Sequence, residues 1–268
     1  MAGIDHVAKK AHRTEEREIT ITIGRLARNA DYRASHAGPD AGRIYDQTHE
    51  RGYYAALWKK IEKPLLATTL QGLGGSDRKC LDFACGTGRI TNLAAEFFGT
   101  VVGVDVSDSM LSCARVPGNV RLHKIDLTRK PLGDTFDIVT AFRFFLNADE
   151  RLRTEALRAI DRHLKPGGSL ICNVQMNATS PIGLVCRVLN RLPWCQRRNT
   201  LSIDELSSLL SSAGFTIRQV SAYGYLPRPG YLLPKLCEGL VGPAERLAVA
   251  IKIPPKFAQQ FLIVAQKP

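Results

Sequence analysis

The stretch 78–110 restricts the fold of this chain more than any other part of its sequence. It predicts an apolar strand ending at Phe83, a turn of small residues, and a helix over 89–98 whose apolar residues recur at helical spacing. A glycine ends this helix, and a second apolar strand finishes at Asp105. A strand, loop, helix and strand in this order are typical of folds that bind a nucleoside-like ligand at the carboxyl ends of the strands.

The loop of this unit does not fit the dinucleotide fingerprint G-x-G-x-x-G. When Gly86 and Gly88 are taken as the first two glycines, the third position holds Thr91, and a count from residue 84 begins on Ala84. From Asp82 the sequence reads D-x-A-x-G-x-G instead. This pattern resembles motif I of the class I S-adenosylmethionine-dependent methyltransferases, usually written E/D-x-G-x-G-x-G, with one alanine in place of the first glycine.

Several other segments carry the same resemblance. Asp105 follows the last loop glycine by seventeen residues, close to the ~20 expected for an acid that binds ribose hydroxyls. The strand predicted over 120–127 contains Asp126, at the place where the family has an acid that takes the adenine amino group. Residues 136–142 read F-D-I-V-T-A-F, and residues 164–168 read L-K-P-G-G, both similar to family signatures.

The resemblance implies an α/β fold: a Rossmann-like, doubly wound sheet of about seven strands, its last strand antiparallel, with helical cap insertions. We expect this methyltransferase domain to span 41–268, with cap insertions at 177–201 and 226–256. Residues 1–40 are expected to be a partly flexible N-terminal extension. Alternating isoleucines over 19–23 predict a short strand within it.

Apolar periodicity also predicts individual elements outside motif I. A helix is expected over 43–66, with Pro64 marking a bend or its end. A second amphipathic helix is expected over 150–164, and His163 near its end is predicted to face solvent. Further predicted elements are a helix over 203–213, a strand over 216–223 and a last strand over 259–266.

The resemblance implies S-adenosylmethionine as cofactor and assigns its binding residues by position. Tyr45 lies on the helix that acts as a lid in this family. Three alternatives stay open: this helix as a packing helix with a polar outer face, Asp126 as a carboxylate that only caps a turn, and Cys85 as merely a small residue. The implied cofactor-binding residues are Tyr45, Asp82, Ala84, Cys85, Gly86, Gly88, Asp105, Val106, Met110, Asp126, Leu127 and Phe142.

Three candidate catalytic residues lie on the lid helix and at the end of the fourth strand. Methyl transfer depends chiefly on positioning, and a hydroxyl acceptor would also benefit from a base. The candidates are His49, Arg143 and Asn147, with a surface histidine as the alternative for His49. The place after the fourth strand reads A-F-R-F, unlike the N-P-P-Y/F of adenine-N6 methyltransferases. The seven cysteines are scattered without C-x-x-C, and no metal is expected.

The charge of the chain is unevenly distributed. The net charge is +12, and residues 181–268 hold 11 basic and 4 acidic side chains, or +7 of that total. This distribution favours an anionic partner near the C-terminal third, such as a phosphate, a membrane surface or nucleic acid. The alternative is that the charge serves only solubility.

The sequence predicts a cytoplasmic location. No run approaches the ~18 uncharged apolar residues of a membrane span, and the charged N-terminus lacks the apolar core of a signal peptide. The two cap insertions mix apolar and basic residues as interfacial helices do, which favours peripheral contact with an anionic inner membrane face. The alternative is that they only cover the pocket. The oligomeric state stays open.

Three functional hypotheses follow from these observations. The first is methyl transfer to a small-molecule, glycan or lipid-like acceptor, including a lipid-linked one. The second is RNA methylation, suggested by the charge but lacking a recognisable RNA-binding appendage, so a nucleic-acid partner is not expected. The third is a non-catalytic protein that binds the cofactor or a partner, against which the intact acidic and glycine positions of the motifs argue.

Overall fold

The computed structural model describes residues 32–36, 38–50, 52–195, 197–226 and 234–268. The strand predicted over 19–23 lies outside the described residues, as do most of the predicted extension and residues 227–233 of the second insertion. Within the described part, helices cover both faces of one seven-stranded sheet.

The sheet is mixed, with the last strand antiparallel to its neighbours. Its order is β3-β2-β1-β4-β5-β7-β6. Neighbours from β3 to β5 run parallel, while β7 runs antiparallel to both β5 and β6. This confirms the predicted doubly wound sheet. The strands are β1 (Gly75–Phe83), β2 (Phe98–Asp105), β3 (Val120–Lys124), β4 (Phe136–Ala141), β5 (Leu164–Val174), β6 (Thr216–Tyr223) and β7 (Gln260–Gln266).

Short helical turns and longer helices connect the strands. A 3-10 turn spans Tyr32–Ala34, a π-helical turn spans Trp58–Glu62, and a second 3-10 turn spans Pro255–Phe257. The α-helices are α1 (Ala41–Glu50), α2 (Gly52–Leu57), α3 (Lys63–Leu73), α4 (Arg89–Ala94), α5 (Asp108–Cys113), α6 (Glu150–His163), α7 (Pro181–Leu189), α8 (Ile203–Ser212) and α9 (Pro234–Ala250).

The strand order reverses beside β1. The chain moves outward from β1 through β2 to β3, and then returns to place β4 on the other side of β1. Asp82 of β1 consequently pairs with Gly103 of β2 on one side and Thr140 of β4 on the other. In open α/β sheets, ligands bind at the carboxyl ends of the strands at such a switch point.

Apolar residues on both faces of the sheet hold the helices in place. Leu157 and Ile160 of α6 belong to the core on one face, and Leu66 and Leu70 of α3 belong to the core on the other. Each of these side chains is at most 1% exposed. Burying a leucine or isoleucine fully stabilises a fold by roughly 1.5–3 kcal/mol, so these faces fix the sheet that carries the site.

The segment predicted as one helix over 43–66 is divided into several helical pieces. A π-helical turn separates α2 from α3, and Glu62 at its end is 2% exposed. Pro64 was expected to bend or end the helix, but it lies in the first turn of α3, which continues to Leu73. Proline is tolerated there because the N–H groups of the first turn have no partner within the helix.

Two other local predictions were wrong. The helix predicted over 89–98 ends at Ala94, because Phe98 already pairs with Gly75 as the first residue of β2. His163, predicted to face solvent, is 1% exposed. Its Nδ1 lies 2.7 Å from the carbonyl of Ala159, and its Nε2 accepts a hydrogen bond of 2.9 Å from the backbone of Leu132.

Candidate functional site

A cavity of about 340 Å³ lies at the carboxyl ends of β1, β2 and β4. It collects nearly all of the predicted site residues, although these are distant in the sequence. Gly88 is the exception, since it lies beside the cavity as the N-cap of α4. The predicted residues in the wall are Tyr45, His49, Asp82, Ala84, Cys85, Gly86, Asp105, Val106, Met110, Asp126, Leu127, Phe142, Arg143 and Asn147.

The loop after β1 alternates left-handed backbone with ordinary backbone. Ala84, Gly86 and Gly88 have φ values of 56°, 57° and 83°. A side chain at Gly86 would place its Cβ 3.0 Å from Cε of Met110, besides being strained in this conformation. Because glycine keeps that position open, a ligand can approach the backbone of the loop closely.

Asp105 anchors this loop at the end of β2. Its Oδ2 accepts from the backbone N–H of Gly86, and its Oδ1 accepts from that of Ser107, both at 2.8 Å. Burial raises the pKa of Asp105, while the two N–H donors act in the opposite direction. A carboxylate has about four acceptor positions, so hydroxyl donors of a ligand can still bind here.

Asp82 supports the loop from beneath. It is 1% exposed, and its oxygens accept hydrogen bonds from Thr91 at 2.6 Å and Thr140 at 2.7 Å. Burial raises the pKa of Asp82 to about 6, although these hydroxyls favour the charged form. The carboxylate therefore joins β1 to α4 and β4, which fixes the strand ends around the cavity.

The N-terminal segment closes the adenine-side wall that Asp126 was predicted to form. Arg33 donates from Nε to Oδ2 of Asp126 at 2.8 Å. Oδ1 of Asp126 accepts from the backbone and hydroxyl of Thr128 at 3.0 and 2.6 Å. Tyr32 and His36 line the same cavity. Sequence reasoning missed all three residues because it placed them in an extension outside the domain.

Aromatic rings of α1 and α2 lie beside His49. Its ring centroid lies 4.2 Å from that of Tyr45 and 5.2 Å from that of Tyr54. Its Nδ1 lies 2.8 Å from the carbonyl oxygen of Tyr45. Because a carbonyl can only accept, Nδ1 carries the proton of the neutral ring, and Nε2 is the nitrogen that can take a proton.

Arg143 and Asn147 lie just beyond the end of β4. Arg143 adopts φ 59°, its N–H donates to Oδ1 of Asn173 at 2.8 Å, and its Nη1 donates to the hydroxyl of Tyr45 at 3.1 Å. Asn147 donates to the carbonyl of Arg143 at 2.8 Å. The guanidinium is always protonated and cannot accept a proton, so Arg143 acts here by charge and hydrogen bonding.

The sequence did not indicate Arg89 and Glu62, which also belong to this region. Arg89 lines the cavity as the first residue of α4, and its guanidinium carbon lies 4.6 Å from the ring centroid of Trp58. Its position directly after the glycine loop was a usable signal. No pattern in the sequence indicated Glu62, because its side chain is directed into the fold by a π-helical turn that was not predicted.

A family profile described as a methyltransferase domain matches residues 81–172. These residues run from β1 to β5 and include the loop, Asp105 and Asp126. Residues 81–172 therefore match a methyltransferase domain, in agreement with the class I S-adenosylmethionine-dependent methyltransferases that motif I resembles.

Curated proteins resemble part of the chain. A cypemycin N-terminal methyltransferase from Streptomyces sp is 39% identical over 97 residues, covering 34% of this chain and 40% of the relative. A ubiquinone/menaquinone biosynthesis C-methyltransferase, UbiE, from Ectopseudomonas mendocina is 36% identical over 126 residues, covering 43% and 46%. The chain therefore spans less than half the length of these two relatives.

The fold of the chain is similar to that of solved structures over most of its length. The N-methyltransferase NodS from Bradyrhizobium japonicum WM9, in complex with S-adenosyl-l-homocysteine, gives a TM-score of 0.56 at 13% identity. The match covers 85% of this chain and 99% of NodS. At this identity the likeness shows the fold alone.

The residues of the cavity fit the cofactor of the superfamily. The open backbone at Gly86 suits the amino-acid part of S-adenosylmethionine, and Asp105 and Asp126 provide acceptors for ribose hydroxyls and an adenine amino group. Among the described residues, no group of three or more potential metal ligands occurs, and no helix is long and apolar enough to cross a bilayer.

Proposed function

We propose that the protein transfers the methyl group of S-adenosylmethionine to a small-molecule or lipid-like acceptor by in-line displacement. One observation carries this proposal: the motif I loop, Asp105 and the polar groups beyond β4 share one cavity. One relative is named as a cypemycin N-terminal methyltransferase, and another as a ubiquinone/menaquinone biosynthesis C-methyltransferase. These names support an acceptor that is not a nucleic acid.

The cofactor, when bound, supplies a methyl group that is already activated on a positively charged sulfur. The chain then has to hold the acceptor in line and keep water out, and such positioning can supply a large part of the rate. Tyr45 and Tyr54 provide apolar ring surface on the lid side, and Phe144 provides it beyond β4. These rings favour an acceptor with a flat or apolar body.

His49 is the candidate base for an acceptor that loses a proton. Its Nδ1 is 2.8 Å from the carbonyl of Tyr45, which assigns Nε2 as the nitrogen that takes the proton. Asn147 acts indirectly, because it donates to the carbonyl of Arg143 and so fixes the backbone beyond β4.

Cofactor binding is tested by calorimetry with S-adenosylmethionine. We expect Gly86→Val to abolish binding and Asp105→Ala to weaken it about tenfold or more, since each hydrogen bond to a charged group is worth ~1.5–3 kcal/mol. Gly118→Val and Asp108→Ala are the controls, because a Cβ at Gly118 meets no atom within 4 Å and the Asp108 side chain is 79% exposed. Unchanged affinity in a folded Asp105→Ala protein would remove the assignment.

Methyl transfer itself is tested with labelled S-adenosylmethionine. The panel contains metabolites, lipid-linked glycans, quinones and RNA, and the mass of the product identifies the acceptor. Label in a small molecule or lipid supports the proposal. Label only in RNA would replace it with RNA methylation, and cofactor binding without product across the panel would favour a non-catalytic protein.

We also propose that an anionic bilayer is the surface partner of the cap region. Leu184, Val185 and Val188 of α7 are 51–59% exposed. Residues 181–200 carry four arginines and no acidic residue. Exposed apolar residues beside basic ones are typical of interfacial helices, and an anionic surface complements this charge.

The end of α9 also exposes apolar side chains. Val249 and Ile251 are more than 60% exposed. The carbonyl of Lys256 accepts hydrogen bonds from Asn177 at 3.0 Å and Thr179 at 3.1 Å, which joins the two insertions just before α7 begins.

A further inference from the structure

Two arginines approach the cavity from different elements. Arg89 begins α4 immediately after the glycine loop, and Arg143 follows β4. Both line the cavity. The Arg89 guanidinium carbon lies 4.6 Å from the ring centroid of Trp58, and Nη2 of Arg143 lies 3.9 Å from Oε2 of Glu62. Because Trp58 and Glu62 begin and end one π-helical turn, the two guanidinium groups lie against the same turn.

Several N–H groups of these arginines have no partner among the described residues. Nε and Nη1 of Arg89 and Nε of Arg143 are buried without a hydrogen bond. Leaving a buried donor unsatisfied costs ~1–3 kcal/mol, and more for a charged group. Native proteins pair almost all such groups, so these three donors point to a ligand that accepts from them.

The nearby charges do not balance. Glu62 is the acid beside the pair, with Oε2 3.9 Å from Nη2 of Arg143. Its Oε1 already accepts from Asn173 at 3.1 Å and from the hydroxyl of Tyr223 at 2.7 Å. Glu62 faces Arg143, and among the described residues no salt bridge joins Arg89 to an acid, so one positive charge remains unpaired in this partly buried region. Burial lowers the pKa of Arg89, and Arg143 lowers it further.

We propose that Arg89 and Arg143 jointly bind a carboxylate group inside the cavity. A carboxylate carries the single negative charge that the region lacks, and it matches the planar fork of an arginine in two parallel hydrogen bonds. This assignment rests on the proposed function, because the carboxylate comes from one of two sources. These are the amino-acid part of S-adenosylmethionine and the methyl acceptor.

Calorimetry with two nucleosides separates the sources. S-adenosylhomocysteine carries the amino-acid carboxylate, and 5′-methylthioadenosine lacks it. If Arg89→Gln loses about tenfold or more in affinity for the first and keeps its affinity for the second, the carboxylate is that of the cofactor. An equal loss for both nucleosides overturns the proposal, because the arginine would then act through the loop. Arg115→Gln is the control, since Arg115 is exposed.

A second arm tests the acceptor as the source. Wild-type protein saturated with S-adenosylhomocysteine is heated with benzoate or with its neutral analogue benzamide. This arm applies if Arg89→Gln keeps the wild-type affinity for both nucleosides. Benzoate should then raise the Tm of the wild type while benzamide does not, and the rise should be lost in Arg89→Gln and in Arg143→Gln. This result assigns the carboxylate to the acceptor. Unchanged nucleoside affinities together with no benzoate effect overturn the proposal.

Stability measurements separate binding from folding. Without ligand, Arg89→Gln is expected to unfold at the same denaturant concentration as wild type or a higher one, because it removes a buried unpaired charge. If Arg89→Gln does not fold, Arg89→Lys is used, which keeps the charge without the fork and should lower carboxylate affinity severalfold. If wild type binds neither nucleoside, the proposed function fails, and the benzoate arm on nucleoside-free protein decides this proposal.

Discussion

Arg33 donates a hydrogen bond from Nε to Oδ2 of Asp126 over 2.8 Å, which joins the N-terminal segment to the turn after β3. Its Nη2 also donates to the hydroxyl of Thr128 at 2.6 Å and to Glu155 of α6 at 2.9 Å. One guanidinium group thereby fixes the orientation of the acid expected to bind adenine. The N-terminal segment therefore lines the cavity in which we propose that the cofactor binds.

The first prediction follows from this contact. Arg33→Gln should weaken S-adenosylhomocysteine binding about threefold to tenfold, because part of a charge-assisted network worth ~1.5–3 kcal/mol per bond is lost. Calorimetry measures the change. Arg43→Gln is the matched control, since the Arg43 side chain is 59% exposed and pairs only with exposed Asp40 in the described part of the chain. Equal affinities for the two variants would show that Arg33 does not support the site.

The second prediction concerns the left-handed backbone of Ala84. Left-handed backbone costs an alanine roughly 1–2 kcal/mol, and the extra freedom of an unfolded glycine costs about 0.4–1 kcal/mol. Ala84→Gly should therefore raise the free energy of unfolding by about 0.5–1 kcal/mol in urea titrations. Ala95→Gly is the control, because Ala95 has φ −62° and the same change there should destabilise. A destabilised Ala84→Gly protein would contradict this account of the loop.

The third prediction tests His49 as the base. General base catalysis typically contributes 10²–10⁴-fold, so His49→Gln should lower kcat by about that factor with a proton-losing acceptor. Glutamine can still donate to the carbonyl of Tyr45, so affinity for S-adenosylhomocysteine should change by less than about threefold. Turnover is measured with the acceptor that the labelled panel identifies. Wild-type turnover in His49→Gln would leave His49 only a packing role.

The fourth prediction concerns the pH dependence of stability. Burial raises the pKa of Asp82 from 3.8 to about 6, so the native state holds this proton where the unfolded chain has released it. The contribution of Asp82 to the free energy of unfolding is then fully present below about pH 4 and is lost as pH rises through 6. Its size is on the order of 3 kcal/mol.

Asp82→Asn should remove this dependence. Urea unfolding of wild type and Asp82→Asn between pH 4 and 7 gives the difference in stability, which should shift in favour of the variant as pH rises. Subtracting the two curves cancels the titration of the other carboxylates. Parallel curves would mean that Asp82 titrates alike in both states.

The fifth prediction concerns the cap surface. Changing Leu184, Val185 and Val188 to serine should weaken binding to phosphatidylserine-containing vesicles about tenfold or more, since each exposed apolar side chain adds ~1 kcal/mol or more when it enters a bilayer interface. Co-sedimentation across a salt series measures it, and phosphatidylcholine vesicles should bind weakly. Val220→Ser is the control, because Val220 is 44% exposed on β6. RNA binding in preference to vesicles would overturn the membrane proposal.

The glycine loop and Asp105 were predictable because both depend on local spacing, while the doubly wound sheet followed from the family resemblance. The loop residues and the acid belong to one stretch whose turn and strands leave little freedom. Residue spacing reports only local preferences, which is why the helix end predicted at Phe98 was wrong. Pairing of Phe98 with Gly75 is a tertiary contact that outweighs the helical pattern of the neighbouring residues.

Other parts of the site depend on contacts that spacing does not record. His163 is buried because Leu132, thirty-one residues earlier, supplies a backbone N–H to it. Glu62 faces inward through a π-helical turn that apolar periodicity did not indicate. Tyr32, Arg33 and His36 line the cavity although they are far in the sequence from most of its other residues. Only the folded chain brings them together.

The position of β7 between β5 and β6 bears on how the protein folds during synthesis. Among the described residues, β6 pairs only with β7, so its backbone groups lack a sheet partner until residues 260–266 have left the ribosome. By then β1 to β5 can already pair with one another. The nascent chain would consequently pass through a stage with a formed nucleotide crevice and an open strand edge, the stage most exposed to aggregation and to chaperones.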